Sequence, residues 1–180
     1  MKTKNKKATL YTVQAAIIAA LYMAVNYAQE MVLPSSSTGA VQVRVSEVLC
    51  TLALFLPSAV PGLTIGCLLS NIISVGVLPL DMILGTSATF LAALCAYALR
   101  RVKIRELPLL SIIMPGSFNG VIIGIEIEWF FIEGPFTLTG FMIQASLVAL
   151  GEFIACVGMG VPFYYLLRKS PLMGDKTYKT

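Results

Sequence analysis

The chain has 180 residues, of which 57% are hydrophobic and 12% are charged, with a mean hydropathy of +0.84 and a formal net charge of +4. A soluble domain carries about 25% charged residues, so this composition excludes a soluble globular domain and indicates a helical membrane protein. The sequence contains no histidine, which excludes Ser-His-Asp catalysis and HExxH zinc sites.

Six apolar segments follow one another along the chain and predict an all-α fold. We expect a single six-transmembrane-helix bundle that forms one membrane domain over residues 1–180. The predicted spans are 9–28, 42–56, 62–78, 81–99, 107–127 and 138–167. The four cysteines stand singly in these segments, which predicts small packing residues and neither disulfides nor metal ligands. They are Cys50, Cys67, Cys95 and Cys156.

Basic residues predict the orientation of the bundle. Twelve of the thirteen lysines and arginines lie before the first segment, between the fourth and fifth, or after the sixth. With six spans, these three groups fall on one side, and the positive-inside rule makes that side cytoplasmic. Both termini are therefore predicted to be cytoplasmic. Most acidic residues fall toward the opposite, outer face, where we expect the site.

The first span presents a face of small residues. Ala16, Ala20 and Ala24 recur every four residues, and Ala15 and Ala19 lie beside them. Such a face allows another helix to approach closely, either within the chain or on a partner protein.

The second segment begins with polar residues in the stretch VQVRVSEVL. Arg44 and Glu47 are three residues apart and would be neighbours on one helix face. One interpretation is an ion pair that stabilises the start of the helix. The other adds a ligand: the guanidinium and the nearby Gln42 would bind a carbonyl oxygen.

Further polar residues inside the spans are candidates for ligand contact, because a charged residue there costs about 2.5–3.5 kcal/mol. Asp81 either caps the fourth helix or contacts a ligand. Asn71 and Asn119 either satisfy neighbouring helices and backbone groups or contact a ligand. Glu152, near the middle of the sixth span, needs a partner, a proton or a polar cavity. Glu126 begins the acidic stretch EIEWFFIE, whose aromatic residues form either an interfacial belt or a stacking surface.

Five motifs spread along most of the chain carry a family resemblance. They are VQVRVSEVL (41–49), PGLTIGCLLSN (61–71), PLDMILGTSAT (79–89), MPGSFNG (114–120) and LGEFIACVGMGVP (150–162). Together with the alanine face, their order resembles the substrate-binding (S) components of energy-coupling factor (ECF) transporters. The closest resemblance is to the QueT family, importers of queuosine precursors.

The resemblance implies a protein of the bacterial cell membrane that is not itself an enzyme and needs no cofactor. An S component binds a scarce small molecule from outside, contacts membrane lipid, and docks on a transmembrane scaffold subunit that carries two ATPase subunits. The chain has no GxxxxGK[ST] nucleotide motif and no nucleic-acid partner is implied. In the family, the loop between the first two spans closes the site; here that loop is LPSSSTGA (33–40).

The implied ligand is a 7-deazaguanine base such as queuine or 7-aminomethyl-7-deazaguanine. Its ring N–H and exocyclic amine suit a carboxylate, its carbonyl needs a donor, and its cationic amine needs a second carboxylate. The candidates are Glu47 or Glu152 for the base edge, Arg44, Gln42 or Asn119 for the carbonyl, and Asp81 or Glu126 for the amine. Two alternatives stay open: an S component for a different vitamin, and a stand-alone ion-coupled carrier with Glu152 as its proton site.

Overall fold

The computed structural model describes residues 2–34, 36, 41–74 and 79–170. In this part of the chain the regular structure is entirely helical, which confirms the all-α prediction. The α-helices are α1 (Lys2–Val32), α2 (Ala59–Ile73), α3 (Pro79–Leu99), α4 (Leu109–Ile112), α5 (Met114–Glu126), α6 (Leu138–Gly158) and α7 (Gly160–Lys169). A 3₁₀ helix covers Val45–Leu54, and a π-helical turn, Ile127–Phe131, continues α5.

Four helical stretches of the described chain are long and apolar enough to cross a membrane. They are Asn5–Val32, Pro79–Leu99, Leu109–Phe131 and Leu138–Lys169. The chain is therefore a multi-pass membrane protein. Helix α2 has 15 residues and rises about 22 Å, less than the roughly 30 Å of a hydrocarbon core.

The second predicted span, 42–56, is wrong as a transmembrane α-helix. Residues 41–44 precede the 3₁₀ helix, and Arg44 has extended backbone angles, with φ −110° and ψ 101°. The ten-residue 3₁₀ helix covers only about 20 Å. All of its residues from Ser46 to Leu54 are buried, and it contacts six of the α-helices. Its apolar sequence therefore reflects burial inside the protein and not contact with lipid.

Helices α1 and α2 pack closely because two glycines of α2 lie at the contact. A Cβ atom at Gly62 would lie 2.7 Å from the Ala15 carbonyl oxygen, and one at Gly66 would lie 2.8 Å from that of Ala19. Ala15 and Ala19 thus pack within the chain. The predicted face of Ala16, Ala20 and Ala24 lies beside this contact and is exposed.

Helices α5 and α6 form a second close pair. Gly116, Gly120 and Gly124 recur every four residues along α5 and face α6. A Cβ atom at Gly120 would lie 2.8 Å from Ala149 Cβ, and one at Gly124 would lie 2.7 Å from Ala145 Cα. Helix α3 packs on both α2 and α5. The order of packing is therefore α1, α2, α3, α5, α6, with the 3₁₀ helix enclosed by them.

Several features predicted from sequence lie wholly or partly outside the described residues. Of the stretch SSST in the predicted closing loop, only Ser36 is described. The C-terminal residues Lys176 and Lys179, which contribute to the third basic group, are also outside the described chain.

We predict that Gly124→Ala destabilises the α5–α6 pair, because the added methyl group would overlap the backbone of Ala145. The expected loss is about 1–3 kcal/mol, the usual cost of overpacking. The control is Gly158→Ala, since a Cβ atom there meets nothing within 4 Å. Thermal unfolding of both variants in detergent would measure the difference, and equal melting temperatures would contradict the predicted contact.

Candidate functional site

The extended segment before the 3₁₀ helix lies directly on α6. A Cβ atom at Gly151 would come 2.7 Å from the carbonyl carbon of Gln42 and 3.1 Å from Val41 Cγ1. Only a glycine lets the backbone approach this closely. The backbone of Gln42 therefore packs on the helix that carries both Gly151 and Glu152. The side chains of Gln42 and Glu152 are buried.

Arg44 is the only buried lysine or arginine among the described residues. Its Nη2 atom donates a hydrogen bond to Gln42 Oε1 at 3.3 Å. On α3, Gly85 leaves space beside it. A Cβ atom at Gly85 would lie 3.4 Å from Asn71 Nδ2, 3.6 Å from Arg44 Nη1 and 3.9 Å from Asp81 Oδ1. Residues from α2, α3 and the extended segment therefore converge at Gly85.

Carboxylates outnumber the guanidinium in this region. Arg44 interacts electrostatically with Glu152 and Asp81, and also with Glu126. Glu152 interacts in turn with Glu47. Three acidic side chains thus interact with Arg44, and Glu47 interacts with one of them, in an interior where charges are poorly screened.

Glu47 is fully buried, and both of its carboxylate oxygens accept hydrogen bonds. Tyr22 Oη donates to Oε1 at 2.6 Å, Thr89 Oγ1 donates to Oε1 at 2.7 Å, and Cys50 Sγ donates to Oε2 at 3.2 Å. These donors belong to α1, α3 and the 3₁₀ helix. The carboxylate therefore joins three elements through Tyr22, Thr89 and Cys50.

Helix α1 also holds the segment that leads to Arg44. The Gln29 amide donates to Ser36 Oγ at 2.8 Å and to the carbonyl oxygen of Val43, and its Oε1 accepts from the Val45 N–H at 2.7 Å. Ser46 Oγ donates to Asn26 Oδ1 at 3.4 Å. Residues 22, 26 and 29 occupy one face of α1. This polar stripe was not predicted, although its helical spacing is visible in the sequence.

Helices α5 and α6 bring Asn119 and Glu152 together at the other side of the site. Both are fully buried, and Asn119 Nδ2 donates to Glu152 Oε1 at 3.2 Å. Glu152 Oε2, Asn119 Oδ1 and both carboxylate oxygens of Glu126 have no hydrogen-bond partner among the described residues. Buried polar atoms of native proteins are nearly always satisfied, so these unpartnered acceptors mark a candidate ligand site.

The remaining predicted residues have more varied positions. Asp81 is the third residue of α3, so its predicted capping role is wrong; it is half-buried, in the first turn, where the helix dipole favours a carboxylate. Asn71 is half-buried, and its Nδ2 lies 3.8 Å from Cys67 Sγ.

In the acidic and aromatic stretch after α5, Glu128 accepts a hydrogen bond from Thr137 Oγ1 at 2.7 Å near the start of α6. Trp129 and its aromatic neighbours are exposed, with the Trp129 and Phe136 rings 5.3 Å apart.

All four cysteines are free thiols. Cys50, Cys67 and Cys156 are buried.

A buried cluster of charged and amide side chains inside apolar helices is typical of membrane proteins that bind or move a polar solute. The comparisons agree with this class. The sequence matches the family model described as QueT transporter over residues 12–169, which is most of the chain. The chain therefore belongs to the QueT transporter family, and is a membrane transporter of a small molecule rather than an enzyme. Comparison with curated proteins and with solved structures gives no match.

We predict that Glu47→Leu destabilises the fold, because it leaves the buried hydroxyl groups of Tyr22 and Thr89 without an acceptor. Each such group costs about 1–3 kcal/mol. Adding Tyr22→Phe and Thr89→Val to the same variant should recover part of the loss, since removing all the polar partners is nearly neutral.

Thermal unfolding in detergent would measure the single and triple variants. Glu133→Leu is the control, because Glu133 is exposed and surface substitutions change stability by less than about 0.5 kcal/mol. A Glu47→Leu variant as stable as the parent would show that this carboxylate does not join the three elements.

Proposed function

We propose that this chain is the substrate-binding S component of an ATP-driven ECF importer, and that it binds a 7-deazaguanine precursor of queuosine. It captures the base at an outward-facing site and delivers it across the bacterial cell membrane. Membership of the QueT transporter family supports a transport role. The observation that carries the choice of substrate is the division of the buried cluster into a donor side and an acceptor side.

The donor side is formed by Arg44, with Asn71 Nδ2 beside it at Gly85. It suits the carbonyl oxygen of the base, since a guanidinium donates through a planar set of N–H groups. The acceptor side is formed by Glu152, Asn119 and Glu126, whose oxygens need donors. It suits the ring N–H, the exocyclic amine and the cationic arm of the base. Glu47 already accepts three hydrogen bonds from protein donors, so we assign it to positioning the segment rather than to contact with the ligand.

We further propose that the bundle crosses the membrane six times with both termini in the cytoplasm. The four long helical stretches would be joined by two short crossings, α2 and the enclosed 3₁₀ helix with its flanking residues. The distribution of basic residues supports this topology, since all three basic groups then lie on the cytoplasmic side. The same topology places the acidic end of α5 at the outer face.

The exposed alanine face of α1 would be the docking surface for the partner complex. Ala16, Ala20 and Ala24 are exposed, although Ala15 and Ala19 beside them are used within the chain. Small residues let a helix of the transmembrane scaffold subunit approach closely. The two ATPase subunits would supply ATP hydrolysis, since this sequence has no nucleotide motif.

We predict that the purified chain, without partners, binds 7-aminomethyl-7-deazaguanine or queuine in detergent and binds guanine at least about tenfold more weakly. Guanine lacks the cationic arm and so loses a charge-assisted contact, which accounts for about tenfold or more. Isothermal titration calorimetry would measure both affinities. Binding of an unrelated vitamin, with no heat from either deazaguanine, would retain the S component and reject this substrate.

The Gly85→Ala variant would locate the ligand in the same titration. The added methyl group makes only ordinary contacts, at 3.4 Å or more, with Asn71, Arg44 and Asp81, so the protein should fold normally. If the base occupies the space beside Arg44, the affinity should fall. Unchanged affinity would place the ligand elsewhere.

We predict that uptake by cells requires a co-expressed scaffold subunit and its ATPases, and that Ala16→Leu or Ala20→Leu abolishes uptake while ligand binding survives. The larger side chain would block the close approach of a partner helix. Ala98→Leu is the control, because Ala98 is an exposed alanine on α3. Substantial uptake in cells without any such module would favour an ion-coupled carrier that uses Glu152.

A further inference from the structure

The unpartnered acceptors of the site lie at two levels along α5. Asn119 and Glu126 are seven residues apart, so they share one helix face and are separated by about 10 Å along the axis. Glu152, on α6, lies at the level of Asn119, to which it is hydrogen-bonded at 3.2 Å. The site therefore has one acceptor group at Asn119 and Glu152, and a second at Glu126.

The two levels differ in what they can accept. At the level of Asn119, Glu152 Oε2 and Asn119 Oδ1 are two unpartnered oxygens on different side chains. Such a pair suits adjacent N–H groups on a flat ring. At the second level, both unpartnered oxygens belong to the single carboxylate of Glu126, and this residue is only 1% exposed. A carboxylate with both oxygens unpartnered suits an ammonium group, which has three donors and a full positive charge.

Charge favours the same assignment. Glu126 interacts electrostatically with Asp81, which has the same sign of charge, and with Arg44. Arg44 is shared with Glu152 and Asp81, so one guanidinium faces three carboxylates. A buried carboxylate that lacks compensation is costly, and a cation brought by the ligand removes this cost.

Other acidic side chains near the outer end are already in use or exposed to solvent. Glu128 accepts hydrogen bonds from the backbone N–H and hydroxyl group of Thr137. Glu133 is exposed. Among the described acids of the α5–α6 region, Glu126 therefore combines burial with two unpartnered oxygens.

We propose that Glu126 is the specificity-determining residue that binds the cationic amine of the substrate, while Glu152 and Asn119 together bind the donor edge of its ring. The inference rests on the proposed function, because it assumes a planar base with an amine-bearing arm. It selects Glu126 over Asp81 for the amine, and Glu152 over Glu47 for the ring edge.

The test uses two ligands of the same shape that differ in charge: 7-aminomethyl-7-deazaguanine and 7-hydroxymethyl-7-deazaguanine. The parent protein should prefer the amine at least about tenfold, since a charge-assisted contact contributes that much. Glu126→Gln keeps the size of the side chain and should remove this preference, with little change in affinity for the hydroxymethyl ligand. Glu152→Gln should weaken both ligands to a similar extent. Glu133→Gln is the control and should change neither affinity.

Two results would overturn the inference. One is equal affinity of the parent for both ligands, which needs no variant and so does not depend on variant folding. The other is a Glu126→Gln variant that retains the preference or loses both ligands equally. Failure of the proposed function has a separate signature, because the parent would then bind neither ligand.

Discussion

The carboxylate of Glu47 lies where α1, α3 and the 3₁₀ helix meet. It accepts hydrogen bonds from α1, α3 and the 3₁₀ helix, and it is fully buried. In an apolar interior, such bonds are strong because the alternative is an unsatisfied polar group. The carboxylate fixes the first turn of the 3₁₀ helix, and thereby the position of Arg44, three residues earlier.

Glycines determine how closely the other elements approach this centre. Gly62 and Gly66 bring α2 against α1, Gly120 brings α5 against α6, and Gly151 admits the extended segment that carries Gln42. The helices thus enclose an interior that contains the polar cluster as well as apolar side chains. Because α1 contributes Tyr22 to that interior and exposes its alanine face on another side, one helix connects the proposed ligand site to the proposed docking surface.

The composition of the interior is unusual for a chain with only 12% charged residues. Asp81, Glu126 and Glu152 interact electrostatically with Arg44, and Glu47 interacts with Glu152. Burial of charges costs free energy that the fold does not recover from these residues alone, since several acceptors have no partner in the described chain. A ligand that carries donors and positive charge would satisfy these acceptors.

The sequence by itself determined the membrane class, the all-α fold and the family, because apolar length and motif order are local properties of the chain. It also indicated the acidic and amide residues that matter, since polar groups are rare in such segments. Tertiary structure decided how they are used. The periodicity of residues 42–56 cannot distinguish a lipid-facing span from a 3₁₀ helix buried on all sides, because both are apolar. Spacing also cannot show that Glu47 accepts hydrogen bonds from Tyr22 and Thr89, while the carboxylate of Glu126 has no hydrogen-bond partner among the described residues. The partners of Glu47 are distant in the chain and meet it only when the helices pack.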